Sequence, residues 1–474
     1  MNHPYLRPRG GQQLTTAGRP LALLLALASL VPVAQAQTFG PRTDYPTGAN
    51  PRNVALADVN GDGRLDLVTA NLNAAGTASV LLGTGAGTFG PKTDYPTGSH
   101  PYSLALGDVN GDGRLDLVTA NVLGGSISVL LGTGMGAFGP KTDYATGTNP
   151  ISLVLGDVNG DGRLDLVAAN DGVATASVLL GTGAGAFGPA TDYATGANPR
   201  NVALGDVNGD GRLDLVTTAY IGTVSVLPGT GTGTFGPRTD YPIGANPTGV
   251  ALGDVNGDGR LDIATTSPGT ASVLLGTGAG AFGPRTDYPT AAQPYSVALA
   301  DVNGDGRLDL VTTNAGVQTA SVLPGTGAGG FGPRTDFPTG AYPLGMALGD
   351  VNGDGRLDLV TANNDPGANT SSVLLNTSTL SGTRPDLAAA GGALYPNPAR
   401  AGFTVLVPAR TGAPGAPVQA ELVNAQGQVV HRCVAAVPAA GAGLAVDATG
   451  LPAGAYTLRL RVGTTVLTQR VVLQ

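Results

Sequence analysis

The chain has 474 residues, of which 42% are hydrophobic and only 12% charged; it holds 76 Gly, 35 Pro and no Trp, and its net charge is −8. That length has room for two to four domains, while the acidic balance excludes a basic nucleic-acid-binding face. A single cysteine, Cys433, excludes a disulfide framework or a cysteine-based zinc site, and because every acid except Glu421 is Asp, turns and strands are expected rather than helices.

In chain order, residues 1–36 read as a signal peptide. Arg7, Arg9 and Arg19 precede an apolar run from Leu21 to Val33, and Ala34-Gln35-Ala36 supplies a small-x-small cleavage site. The run is shorter than the roughly 20 residues needed to span a bilayer. No membrane span is expected after its removal.

Residues 37–379 are one unit repeated seven times. Phe-Gly-Pro recurs at Phe39, Phe89, Phe138, Phe187, Phe235, Phe282 and Phe331. Asp-Val-Asn-Gly-Asp-Gly-Arg-Leu-Asp recurs from Asp58, Asp108, Asp157, Asp206, Asp254, Asp301 and Asp350, at spacings of 47 to 50 residues. A period in that range signals a solenoid, propeller or array. The first unit carries four strand signals, Val54–Val59, Leu65–Ala70, Ala78–Leu82 and Phe89–Tyr95. Four short strands joined by tight turns form a meander whose two faces are covered when copies stack radially. The phase argues for closure: the chain enters on a fourth-strand sequence, Thr38–Tyr45, and leaves on a third, Ser371–Leu375. Pairing these ends removes a raw sheet edge. The predicted fold is all-β, a closed seven-bladed β-propeller of four-stranded blades.

Each unit places an acidic nine-residue turn between its first two strands. Hard cations want six to eight oxygen ligands, and alternate positions of a tight turn aim side-chain oxygens at one centre. Position seven can add its main-chain oxygen, and glycines at positions four and six allow the sharp bends. The candidate calcium ligands are Asp58, Asn60, Asp62, Arg64 and Asp66 in the first unit, then Asp108, Asn110, Asp112, Arg114 and Asp116 in the second. They continue as Asp157, Asn159, Asp161, Arg163 and Asp165, then Asp206, Asn208, Asp210, Arg212 and Asp214. The last three sets are Asp254, Asn256, Asp258, Arg260 and Asp262; Asp301, Asn303, Asp305, Arg307 and Asp309; and Asp350, Asn352, Asp354, Arg356 and Asp358. Three Asp and one Arg give each loop a charge of −2, which one Ca²⁺ would neutralise. About seven ions are expected. Position twelve is Thr or Ala in every copy, so the glutamate of an EF-hand is absent and strand signals flank the loop.

Phe-Gly, the Gly-rich turn and the nine-residue loop resemble the FG-GAP repeat of integrin α-subunit propellers and the related bacterial VCBS-type repeats. The resemblance implies a seven-bladed propeller with calcium in β-hairpin loops. Here Gly-Pro followed by Lys, Arg or Ala and then Thr-Asp replaces the usual Gly-Ala-Pro, which weakens any transfer of integrin partners but not of the fold. Gly85-Ala86-Gly87-Thr88-Phe89-Gly90 spells a dinucleotide fingerprint, yet Pro91 and a strand follow where that motif needs a helix.

No catalytic residue is assigned. His100 is the only histidine of the repeat region, and 28 of the 32 aspartates occupy repeated positions, whereas an active site needs a singular constellation. A meander sends its acidic loops and Gly turns to one face and its variable connections to the other. On that variable face Arg52, Tyr102, Arg200 and Tyr295, at matching positions with His100 and Tyr342 beside them, are the candidate ligand residues. Diversity on a rigid ring suits binding.

Residues 380–392 read as a linker. Residues 393–474 leave the repeat and alternate short apolar stretches with Gly and Pro turns, the pattern of a small C-terminal β-sandwich. Leu394-Tyr395-Pro396-Asn397-Pro398, Leu451-Pro452-Ala453-Gly454-Ala455-Tyr456 and Gln469-Arg470-Val471-Val472 resemble the C-terminal sorting domain of the type IX secretion system. That resemblance implies passage through the type IX machinery and release or attachment at the outer cell surface. Cys433 lies inside this segment and reads as a buried small hydrophobe. The expectation is a monomeric, secreted, calcium-binding adhesion or ligand-binding module for an extracellular protein or glycan. A glycan-active hydrolase or lyase, or a passive surface component, stays open.

Overall fold

The computed structural model describes residues 38–378 throughout and, beyond them, the strands and some adjoining residues between 393 and 473. The expected signal peptide and the expected linker at 380–392 lie outside the described residues. Among the described residues there is no α-helix, only the single 3₁₀ turn Val122–Gly124, and no helix long and apolar enough to cross a membrane.

Residues 43–374 form seven four-stranded antiparallel sheets. The first comprises β2 (Pro51–Ala57), β3 (Asp66–Asn71), β4 (Thr77–Gly83) and β5 (Phe89–Pro96), adjacent in chain order. Five more follow the same order. The seventh takes Pro343–Gly349, Asp358–Asn363 and Thr370–Leu374 from the end of the repeat and β1 (Thr43–Pro46) from its beginning, with Thr43 opposite Val373 and Pro46 opposite Thr370. The first strand of every sheet touches the first strands of the sheets before and after it, and Pro343–Gly349 returns to β2. The sheets are thus arranged like propeller blades around the inner strands.

Residue chemistry explains the layering. The second strands, such as Asp66–Asn71, are buried at every position and read as continuous apolar runs with Thr and Asn rather than as an alternation, because a sheet presses on each face. The fourth strands, with Thr-Asp-Tyr, are mostly exposed and lie outermost. Between adjacent sheets sit seven apolar layers. Val68 and Val80 of the first sheet meet Leu117 and Leu130 of the second, and Val360 and Val373 of the seventh meet Leu67 and Leu81 of the first. Each fully buried leucine contributes about 2–3 kcal/mol of apolar transfer. Around the outside, seven edge-to-face aromatic pairs bridge neighbours at 5.0 to 5.5 Å between centroids, from Tyr45–Phe89 to the pair Phe39–Phe337 that closes the cycle.

A polar relay of Thr, Asn, Ser and Asp crosses the first, second, sixth and seventh sheets. In the first, Thr69 Oγ1 donates to Asn71 Oδ1, Asn71 Nδ2 to Ser79 Oγ, and Ser79 Oγ to Asp94 Oδ1 at 2.6 Å. The serine-to-aspartate bond recurs in all seven sheets at 2.6 Å, the seventh joining Ser372 to Asp44 of β1. The fourth and fifth sheets lack its asparagine, with Ala219 and Ser267 in that place, and the third lacks its threonine. Ala168 stands where Thr69 stands in the first, and Asn170 Oδ1 is left buried without a partner. Ile127, fully buried in the same apolar layer as Ala168, stands where the first sheet has Ala78. Threonine at position 168 would add a methyl and a hydroxyl to a layer that already holds Ile127. Ala168→Thr alone is therefore expected to cost about 1–3 kcal/mol by overpacking. The double variant I127A/A168T is expected to recover stability to within about 1 kcal/mol of the parent, because Asn170 gains a donor. Urea unfolding of the two variants checks this; losses that simply add would refute the coupling.

In the C-terminal segment, Ala393–Tyr395, Gly402–Leu406 and Gly443–Asp447 form a three-stranded sheet. Val429–Ala436, Pro417–Val423, Gly454–Val462 and Thr465–Leu473 form a four-stranded one. Both contribute to one core, with Phe403, Val405 and Val446 from the first meeting Leu422, Leu458 and Leu460 from the second. Cys433 is half-buried against that core, and burial pushes its thiol pKa up.

Candidate functional site

Two sites emerge, one on each side of the ring of sheets. The acidic turns leave the ends of the inner strands. Gly61 and Gly63 hold φ of 76° and 82°, which only glycine adopts without strain. Asp58 Oδ1 accepts from Gly61 N at 2.7 Å and Asp62 N at 3.1 Å, and its Oδ2 from Gly63 N at 2.7 Å. Asn60 Oδ1 accepts from Asp62 N, and Asp62 Oδ1 from Arg64 N, each at 2.9 Å. The set is repeated nearly atom for atom in the other six turns, as from Asp108 to Arg114.

The ninth residue differs from the other acids. Asp66 is fully buried and spans two elements: its Oδ2 accepts from Val59 N at 2.9 Å and its Oδ1 from Gly83 N, at the end of β4, at 2.7 Å. Asp116, Asp165, Asp214, Asp262, Asp309 and Asp358 repeat this bridge. Sequence reading gave this position to an ion alone; the structure gives it a second role, as the pin between the acidic turn and the end of the third strand. Sequence reading also missed the arginine side chain at position seven, which pairs with the aspartate at position five in every turn. The turns are tied to neighbouring sheets as well, since Gly87 N donates to Val351 O and Gly136 N to Val59 O.

Each turn offers three carboxylates, an amide oxygen and main-chain carbonyls, the hard-oxygen donors that suit Ca²⁺. Burial pushes the pKa of the ninth-position carboxyl up, and its acidic neighbours at positions one or five add to the shift. It reaches about 7 at Asp309 and about 6 at Asp358. A divalent cation there would offset both burial and repulsion. Among the described residues no three acidic or histidine side chains stand close enough to enclose an ion; the carboxylates are turned to main-chain N–H groups. The donors fit calcium in kind, and the local hydrogen bonds shape the turn.

On the opposite side, the connections from fourth to first strands run through a left-handed residue before a proline, at Asn50, His100, Asn149, Asn198, Asn246, Gln293 and Tyr342, with φ between 53° and 56°. Asn tolerates that conformation best among these residues. Each kink starts an inner strand, so the residue after the proline occupies an equivalent place in all seven sheets. Arg52, Tyr102, Arg200 and Tyr295, four of those residues, line one cavity of about 300 Å³ with Ile151, Thr248, Tyr220 and Asn246. The Arg52 guanidinium lies between two rings, 3.9 Å from the centroid of Tyr102 and 4.4 Å from that of Tyr295, and donates to both hydroxyls. Those hydroxyls are 2.7 Å apart. Burial lowers the Arg52 pKa to about 9, with Arg200 contributing, and burial raises Tyr102 to about 12. Arg200 sits 3.6 Å from Asp171 and over the Tyr220 ring. His100 and Tyr342 do not line the cavity; His100 Nδ1 engages Ser99 Oγ, and Tyr342 is half exposed.

Comparison with known proteins agrees with this architecture. The N-terminal region of BBS1, solved in complex with ARL6, aligns with 73% of the chain and 99% of its own length at 13% identity and a TM-score of 0.53. The periplasmic gluconolactonase PpgL of Pseudomonas aeruginosa aligns with 63% and 87% at 18% identity and a TM-score of 0.50. These likenesses show the fold alone. No curated protein sequence matches the chain. Residues 393–474 match the secretion system C-terminal sorting domain, which marks a secreted, cell-surface protein handled by the type IX machinery. The FG-GAP-like repeat matches in six overlapping segments, 58–119, 118–168, 157–217, 206–265, 254–312 and 311–361, which together run without a gap through most of the sheets. With its acidic turns, Phe-Gly turns and four-stranded sheets in that register, the chain belongs to the FG-GAP-like repeat family.

Proposed function

We propose that the protein is a closed seven-bladed propeller held by calcium, followed by a C-terminal β-sandwich, and that it serves at the cell surface as an adhesion or ligand-binding module. One observation carries the binding role: four diverse side chains from four sheets meet in one cavity on the face opposite seven near-identical acidic turns. Sameness on one face suits a scaffold, and singularity on the other suits recognition. A binding role is favoured over catalysis by the cavity's makeup. Its lining holds two arginines, three tyrosines and no acid, and Arg200 pairs with Asp171.

Calcium titration by calorimetry tests the metal half of this reading. The expected result is about seven ions per chain, six after Asp58→Ala, and a higher melting temperature with calcium than with chelator. No uptake and no shift would leave the acidic turns as hydrogen-bonded loops and sink the calcium-held propeller.

A further inference from the structure

Resting on the reading of this face as a ligand site, we propose that the cavity takes the carboxylate of an acidic sugar, a hexuronate unit, with Arg52 and Arg200 as its cationic partners. Two guanidiniums line one small cavity, and only Asp171 opposes them. That leaves one net positive charge in a pocket on a chain of net charge −8, and like charges held together in a half-enclosed space call for a compensating anion. One net charge matches a carboxylate rather than a doubly charged phosphate. The planar fork of a guanidinium also fits a carboxylate in two parallel bonds.

Arg52 is prepared for such a partner. The two tyrosine rings and hydroxyls fix its plane, while its Nε is shut off from solvent with no hydrogen-bond acceptor. A buried donor without an acceptor costs about 1–3 kcal/mol, so Arg52 is held in place at a cost. The remaining walls speak for a sugar. Asn246 offers an exposed amide group, and Tyr220 offers a half-exposed ring suited to the C–H face of a pyranose, while the Thr248 hydroxyl is engaged with Pro294 O and Thr266. A volume of about 300 Å³ is at the small end for ligand cavities and admits one ring rather than an extended chain.

Glucuronate, glucose and inorganic phosphate are titrated by calorimetry into the full chain in calcium, and into the Arg200→Gln and Arg52→Gln variants. Circular dichroism and melting curves confirm that each variant is folded. The inference expects glucuronate to bind at least tenfold tighter than glucose or phosphate, and Arg200→Gln to weaken it at least tenfold. Arg200 is the more informative position, because Arg52 also holds the two tyrosines. Absent glucuronate binding by a folded chain would overturn the inference, as would binding indifferent to Arg200→Gln or phosphate binding as tightly as glucuronate. A neutral glycan or a protein that binds and is lost with Arg200→Gln would overturn the acidic-sugar assignment while leaving the ligand face in place. The metal half of the proposed function stands or falls separately, on the ion count.

Discussion

A chain lacking residues 38–46 is expected to melt far below the full chain and to self-associate. Those nine residues supply β1, the outer strand of the seventh sheet. Without them Thr370–Leu374 loses its whole pairing from Thr43↔Val373 to Thr370↔Pro46 and becomes an open edge. Ser372 loses Asp44, Phe337 loses the ring of Phe39, and Phe89 loses that of Tyr45. Two aromatic contacts, a four-residue ladder and a charge-assisted bond together contribute about 5–8 kcal/mol, a large part of the stability of an ordinary domain. Scanning calorimetry with sedimentation velocity is the measurement. A truncated chain that stays monomeric and melts like its parent would show that ring closure contributes little.

Asp66→Ala is the second large effect, expected at about 3–5 kcal/mol, because it strands two buried N–H groups, Val59 N and Gly83 N, on different elements. Asp58→Ala is expected to be milder. Its carboxylate serves N–H groups within its own exposed turn, which water can satisfy. The contrast separates the pin from the ion. Without calcium, Asp66→Ala should remain the more damaging change; with calcium, both should forfeit one bound ion. Equal losses of stability in chelator would refute the bridging role of Asp66.

Most of the architecture can be read from spacing. Two markers at one period fix the sheet repeat, and the lone fourth-strand sequence at Thr38–Tyr45 points to its partner at Ser371–Leu375; the observed β1 pairing with Thr370–Leu374 differs only at the margins. The equivalence of Arg52, Tyr102, Arg200 and Tyr295 was legible too, because each follows an X-Pro step. Their meeting in one cavity was not. Which equivalent residues touch depends on side-chain reach across the ring, as with the hydroxyls of Tyr102 and Tyr295, 193 residues apart in sequence. Nor could the turn sequence reveal that Asp66 faces inward to Gly83 while Asp58 faces its own turn. That division follows from burial, set by the sheet packed behind. Ile127 and Ala168 each look unremarkable alone, and their common layer appears only once two neighbouring sheets are packed together.

The seventh sheet also sets an order of events. Asp44 and Ser372 are 328 residues apart in sequence, yet they share a hydrogen bond. A nascent chain makes β1 before the other strands of the seven sheets and its partner after them, so the closing contact cannot form until nearly the whole repeat has been synthesised. Closing so long a loop costs conformational entropy, which makes this step a slow one. The intervening sheets can assemble in sequence by local pairing, but until the last arrives the growing stack keeps an unsealed end. The sorting segment emerges later still. A chain that carries its export address at the C-terminus therefore presents that address only after the ring has everything it needs to shut, so that a truncated, unsealed product carries no such address.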